Sequence, residues 1–137
     1  IKFIFVGLGV LSEYLKVSSQ KYTNVLYLGE KSREELVEIY NISDMVILPS
    51  TEEGSSLVVI EALSCGRPVI VTNKGCSKDM FPDDLGRKIE PTKQNIIEAI
   101  RQLQKEDFNQ LRQRCREFAL KTYNRDNFNK ILETYLI

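Results

Sequence analysis

Histidine is missing from this sequence altogether. Without imidazole, the segment holds no His-activated nucleophile and no His-ligated metal. Cysteine is scarce: Cys65, Cys76 and Cys115 show neither a Cys-x-x-Cys pair nor any metal-ligand spacing. An odd number of thiols in a chain of ordinary composition points to reduced cysteines and a cytoplasmic setting. Net charge is lacking too, because 19 Lys and Arg balance 19 Asp and Glu. A chain with no basic excess carries no footprint for nucleic acid. No apolar run approaches a membrane span, no signal peptide opens the chain, and no repeat or low-complexity tract interrupts it. What is present is 42% hydrophobic and 28% charged residues over 137 positions, which suits one soluble domain with a substantial core. The first residue is not methionine and the chain opens on a strand-like run, so a piece of a longer polypeptide is expected.

The most informative stretch is residues 44–73. Met45 to Leu48 has the length and β-branched content of a buried strand, and Pro49 stops it. A polar loop, Ser50 to Gly54, leads into an apolar segment, Leu57 to Leu63, that reads as a buried helix. Gly66 and Pro68 mark its end in the order that helix stops prefer. Val69 to Val71 reads as a second buried strand. A parallel pair joined by a helix binds ligands beyond the carboxyl ends of its strands, beside the helix N-terminus. Glu61 is the only charge between Gly54 and Gly66. A carboxylate in an apolar helix is costly unless it reaches water or donors. Either it lies on one solvated stripe, or it faces a ligand cleft and accepts hydrogen bonds from hydroxyl groups. The amides of Ser55, Ser56 and Leu57 at the helix start would face an anion, helped by the helix dipole. Acceptors for hydroxyls beside donors for phosphate would suit a nucleotide sugar.

The flanking segments predict a doubly covered parallel sheet. Lys2 to Val6 and Asn24 to Leu28 read as strands, with a short helix over 11–20 between them. Gly7 and Gly9 follow the first strand, but Ser12 stands where a dinucleotide fingerprint needs its third glycine, so a tight turn competes with a phosphate loop. Ser32 and Glu35 form a capping box for a helix through about Tyr40. Gly86 to Glu90 reads as an edge strand. Thr92 caps a helix with Ile96, Ile97, Ile100 and Leu103 on one face. A helix over 107–122 carries Leu111, Cys115, Phe118 and Ala119 on one stripe, and a last helix runs from Asp126 to Tyr135.

Glu53 and Glu61 are separated by seven residues, and Glu61-Ala-Leu-Ser-Cys-Gly-Arg-Pro-Val-Ile follows. This resembles the donor-site signature of family 4 glycosyltransferases, retaining enzymes of the GT-B fold. Their usual pattern is Glu-Gly-Phe-Gly-Leu, a second Glu, then Ala-Met-Ala-Cys-Gly-x-Pro-Val-Ile. The chain departs from it in places: Ser56 replaces a glycine, Val10 replaces the proline of Val-Gly-x-Gly-Pro, and Gly75, Cys76 and Asp79 stand for Gly-Gly-x-x-Glu. These departures bear on the donor sugar more than on the fold.

The resemblance implies an α/β fold: a Rossmann-like parallel sheet with helices on both faces, the C-terminal half of a GT-B enzyme. Residues 1–137 would be its nucleotide-sugar-binding domain, with the N-terminal acceptor domain and a first strand bearing diphosphate-gripping Arg and Lys elsewhere in the protein. Glu53 would position the transferred sugar and Glu61 the ribose. Gly54, Ser55, Ser56 and Leu57 would meet the diphosphate, and Gly7 and Gly9 would lie near the nucleotide. The backbone at Glu30 and Lys31 would meet the base. No cofactor is implied; the donor would be a UDP- or GDP-sugar, and with no Asp-x-Asp the chemistry would be metal-independent. The acceptor would be a glycan or lipid, as in polysaccharide biosynthesis, with peripheral membrane contact open to the full-length enzyme. The fragment by itself is expected to be inactive. A sugar-nucleotide epimerase of the same architecture and an inactive regulatory module are the alternatives.

Overall fold

The structure, a computed structural model, describes residues 1–50, 56–74, 79–124 and 126. Strands and helices alternate as far as β4: β1 Phe3–Phe5, α1 Ser12–Lys21, β2 Val25–Tyr27, α2 Arg33–Ile42, β3 Val46–Leu48, α3 Leu57–Ser64 and β4 Val69–Thr72, followed by β5 Gly86–Ile89, α4 Lys93–Leu103 and α5 Phe108–Thr122. A 3-10 turn, Asp83–Leu85, leads into β5. The helix expected over 126–135 falls outside the described residues, Asp126 excepted. Two compact units form, Ile1–Glu38 and Ile39–Ile137, and the division falls within α2.

In the first unit β1 and β2 pair in parallel, Phe3 opposite Val25 and Phe5 opposite Tyr27. Parallel neighbours cannot be joined by a tight turn, and α1 makes the crossover. The capping box is reciprocal: Glu35 N donates to Ser32 Oγ at 3.2 Å, and Ser32 N donates to Glu35 Oε2 at 2.8 Å. Two amides that would otherwise lack helical partners are satisfied this way, which starts α2 at Arg33.

The second unit is built on the parallel sheet β3-β4-β5, with β4 in the centre. All four residues of β4 are buried, as the continuous run Val69 to Thr72 requires of a strand covered on both faces. Val59, Ala62 and Leu63 of α3 join a core with Ala99, Ile100 and Leu103 of α4 and Leu111, Cys115 and Ala119 of α5. On α4 the buried stripe differs from expectation: Ile96 and Ile97 are half-buried, and Ala99 is buried instead. A methyl group is too small to register in a hydrophobic pattern, yet it permits close approach to the sheet. Thr92 caps α4 by accepting from Asn95 N at 3.2 Å.

Gly66 ends α3 at φ +71, with Arg67 N donating back to Ala62 O at 2.8 Å. A side chain here would face two obstacles. Its Cβ would lie 2.9 Å from the Arg112 carbonyl oxygen of α5, and the angle itself favours glycine. The stop signal read from sequence is therefore also a packing position, because α3 and α5 touch there.

Candidate functional site

The residues singled out in the sequence fall in both units. In the first, the turn after β1 is closed on itself. Gly7 N donates to Gly29 O at 2.7 Å, and Gly9 N donates to Ser12 Oγ at 3.0 Å. Tyr27 Oη lies 2.9 Å from both Gly7 O and Ser12 Oγ. The Gly7 carbonyl can only accept, so Tyr27 donates to it and the Ser12 hydroxyl donates to Tyr27. Ser12 thus closes the turn in place of the missing glycine; the Gly9 amide finds its acceptor within the turn and the Gly7 amide finds its own at Gly29. The space beside Gly7 and Gly9 is open, with nothing within 4 Å of an added Cβ. A ligand would approach these residues along their bare Cα positions.

The Gly7–Gly29 bond brings that turn beside the end of β2, where Glu30 is exposed and Lys31 half-buried. Lys31 Nζ donates to Glu35 Oε1 at 2.8 Å. That contact, followed by the Ser32 amide, holds the Glu35 carboxyl below the usual carboxylate range. The Lys31 side chain is therefore committed to the first turn of α2.

In the second unit, α3 carries the acid. Ser56 is its N-cap, extended at φ −88 and ψ 110, buried, and without a side-chain capping bond. Leu57 is 65% exposed, one turn before Glu61 on the same stripe, whereas Val59, Ala62 and Leu63 face the core. Glu61 is half-buried. It lies on the open stripe, as one reading required, but it is not merely solvated. Its Oε2 accepts a hydrogen bond from Tyr40 Oη at 2.9 Å. At the mouth of the same loop, the Thr72 hydroxyl donates to the Ser50 carbonyl, tying the exit of β3 to the end of β4. Glu53, Gly54 and Ser55 lie outside the described residues.

Tyr40 was not among the sequence candidates, although two signals pointed to it. It follows Leu36 by one helical turn on the inward stripe of α2, and a buried tyrosine needs an acceptor for its hydroxyl. Glu61, alone in an apolar helix, needs a donor. Each requirement was visible, but the pairing joins residues twenty-one positions apart and appears only once α2 and α3 meet. Burial, then the Glu61 hydrogen bond and charge, push the Tyr40 hydroxyl well above the ordinary tyrosine range, so it stays a donor. Among the described residues, no group of three or more Cys, Asp or Glu side chains is placed to hold a metal ion. No described helix is long and apolar enough to cross a membrane.

Parallel strands joined by helices, with a single acid on the helix after β3, make this a Rossmann-like α/β domain. Solved structures of like fold include the Anabaena protein HepE in complex with UDP, with a TM-score of 0.81 at 21% identity over 99% of this chain and 40% of that one. Sucrose-phosphate synthase from Thermosynechococcus elongatus superposes with a TM-score of 0.78 at 22% identity, over 97% of this chain and 38% of that one. The α/β, Rossmann-like fold is one that structural neighbours of the GT-B class share. The sequence model of the family described as glycosyl transferases group 1 matches residues 1–122, and the chain belongs to that family. Among curated relatives, the D-inositol 3-phosphate glycosyltransferase of Mycobacterium sp. (strain KMS) is 38% identical over 69 residues, which is 50% of this chain and 15% of the relative. The enzyme of that name from Rhodococcus jostii (strain RHA1) is 45% identical over 51 residues, 37% of this chain and 11% of the relative. The chain therefore spans a small part of the length of these relatives.

Proposed function

We propose that this chain is the donor-binding domain of a retaining glycosyltransferase. The whole enzyme would move a sugar from a UDP- or GDP-sugar to a glycan or lipid acceptor held by a second, N-terminal domain. The observation that carries the reading is Glu61: a half-buried carboxylate on the open stripe of an apolar helix, fixed by a tyrosine, in a chain of the group 1 family. An ionised carboxylate is an acceptor only, and a ribose diol is a pair of donors. The chemical burden of the reaction is negative charge growing on the departing diphosphate. The N-terminus of α3, at Ser56 and Leu57, would present amides and the positive end of the helix dipole to it, and Gly54 and Ser55 would meet the same diphosphate. Glu53 would orient the transferred sugar through its hydroxyls. Both acids act by positioning rather than by proton transfer, and the backbone at Glu30 and Lys31 would flank the base beside Gly7 and Gly9. No metal is required in this scheme, which the lack of an Asp-x-Asp sequence supports. The setting would be cytoplasmic, with peripheral membrane contact where the acceptor is a lipid.

Calorimetric titration of the intact protein with UDP, GDP and ADP tests the reading. One nucleotide should bind, and its sugar conjugate should yield a product with the donor's anomeric configuration. The Tyr40 hydrogen bond governs the choice of variant: Glu61→Ala would strand a buried hydroxyl, whereas Glu61→Gln keeps an acceptor for it. Glu61→Gln should weaken the preferred nucleotide by about tenfold or more, the loss expected for a charged hydrogen-bond partner, with an unchanged thermal midpoint. Unchanged affinity would remove Glu61 from the site, and no binding of any nucleotide would overturn the donor-domain reading.

A further inference from the structure

The Tyr40–Glu61 contact has a feature that an ordinary core hydrogen bond lacks. Tyr40 is 9% exposed, so its ring is part of the core, but its acceptor lies on the open stripe of α3. The end of α2 that carries it is pinned from both sides. Arg67, 8% exposed, donates from Nη1 to Ser43 O at 3.0 Å and from Nη2 to Asn41 Oδ1 at 3.4 Å. Ser43 Oγ donates in turn to Ile39 O at 2.7 Å. Tyr40 sits between these anchors and has little freedom to follow a moving partner. The flexible partner is Glu61, whose side chain would otherwise sample several rotamers.

We propose that Tyr40 is a positioning residue for nucleotide binding: its hydroxyl locks Glu61 through Oε2 and thereby presents Oε1 to the ribose diol of the donor. This rests on the proposed role of Glu61 and adds the device that makes it selective. A carboxylate already held in its binding rotamer loses less freedom when the diol arrives, so affinity rises without any contact between Tyr40 and the ligand. Tyr40 can do this over the whole accessible pH range because its hydroxyl stays protonated.

The test compares ribose with dideoxyribose in the intact protein. Whichever of UDP, GDP and ADP binds wild type most tightly is titrated beside its 2′,3′-dideoxy analogue, in wild type, Tyr40→Phe and Glu61→Gln. Tyr40→Phe keeps the buried ring and removes only the hydroxyl, and its thermal midpoint verifies folding. The expected result is a loss of about three- to tenfold in affinity for the ribonucleotide with none for the dideoxy analogue, the span of one net hydrogen bond. Equal weakening of both ligands, with or without a lowered midpoint, would show that Tyr40 only fastens α2 to α3 and would overturn the proposal. Unchanged affinity for both would overturn it as well. Failure of the underlying reading looks different: wild type itself would then show no preference for ribose over dideoxyribose, or Glu61→Gln would keep the wild-type preference in full.

Discussion

In the second unit an apolar core runs from Tyr40 to Ala119, and fifteen hydrophobic residues among those described are buried. In the first, Ser18 is the only buried residue among those described, while Leu8, Val10, Leu11, Tyr14 and Val17 stand open. The difference follows from strand number and length. Two three-residue strands and one crossover helix cannot enclose a core, since a sheet needs about three strands with a covered face to be stable alone. The first unit is held instead by local polar contacts, the Tyr27–Gly7 clamp and the Ser32–Glu35 box. The second has a central strand buried on both faces. Apolar burial positions Glu61, whereas turn geometry positions Gly7, Gly9 and Glu30.

Glycine substitution should expose the contrast most sharply. A Cβ at Gly86 would stand 2.1 Å from the Val69 carbonyl oxygen and 2.8 Å from the Phe81 ring. The backbone there is extended at φ 179, so the constraint is space alone. Gly86→Ala must push β5 away from β4 and is expected to cost more than about 3 kcal/mol, beyond ordinary overpacking. Gly29 is the opposite case, with φ +66 and open space around it. Gly29→Ala should cost only the left-handed backbone penalty, about 1–2 kcal/mol. Urea unfolding of both variants measures the difference, and equal costs would break the distinction between a packed unit and a turn-built one.

Truncating leucines tests burial directly. Leu63 is fully buried between α3 and its neighbours, and Leu63→Ala should cost about 2–5 kcal/mol. Leu26, on β2, is 48% exposed, and Leu26→Ala should change stability by no more than about 0.5 kcal/mol. A cost at Leu26 as large as at Leu63 in the intact protein would show that something beyond the described residues covers β2.

The same contrast explains what could be read in advance. The two strands and the helix between them in residues 44–73 were legible because length, β-branching and stop signals agree there, and tertiary packing had nothing to override. The caps at Ser32 and Thr92 were legible because capping is local chemistry. The role of Ser12 was not, since closing the turn depends on Tyr27, fifteen positions away. Tyr40 and Glu61 were each visible as an unmet requirement, but their match is a product of how α2 meets α3. The family signature singled out Glu61, and the fold alone supplied the donor that meets it.

The two units should also fail at opposite ends of the pH scale. Burial pushes the Cys115 thiol from 9.0 up to about 12. Between those values the unfolded chain has lost the proton and the native chain has kept it, so stability falls as pH rises, by up to about 1.4 kcal/mol per pH unit for one proton. Tyr40, raised above its ordinary 10.0, adds to the loss at still higher pH. In the first unit the resolved shifts run downward: Glu34 and Glu35 are both held below 4.5, Glu34 first by a backbone hydrogen bond and Glu35 first by Lys31. Groups lowered in the native state stabilise it above their unfolded value and cease to do so as pH falls through the folded one. Because both residues are exposed to solvent, that acid effect is the smaller. Urea unfolding followed at the methyl signals of Leu36 and Leu111 between pH 3 and 10.5 separates the two. Leu111 should weaken above about pH 9 and Leu36 below about pH 4.5, the ordinary thiol and carboxylate values. Cys115→Ala should abolish the thiol's share of the alkaline slope while leaving the acid response at Leu36 in place. An alkaline slope unaltered by that substitution would mean that the buried thiol does not govern the second unit's pH response.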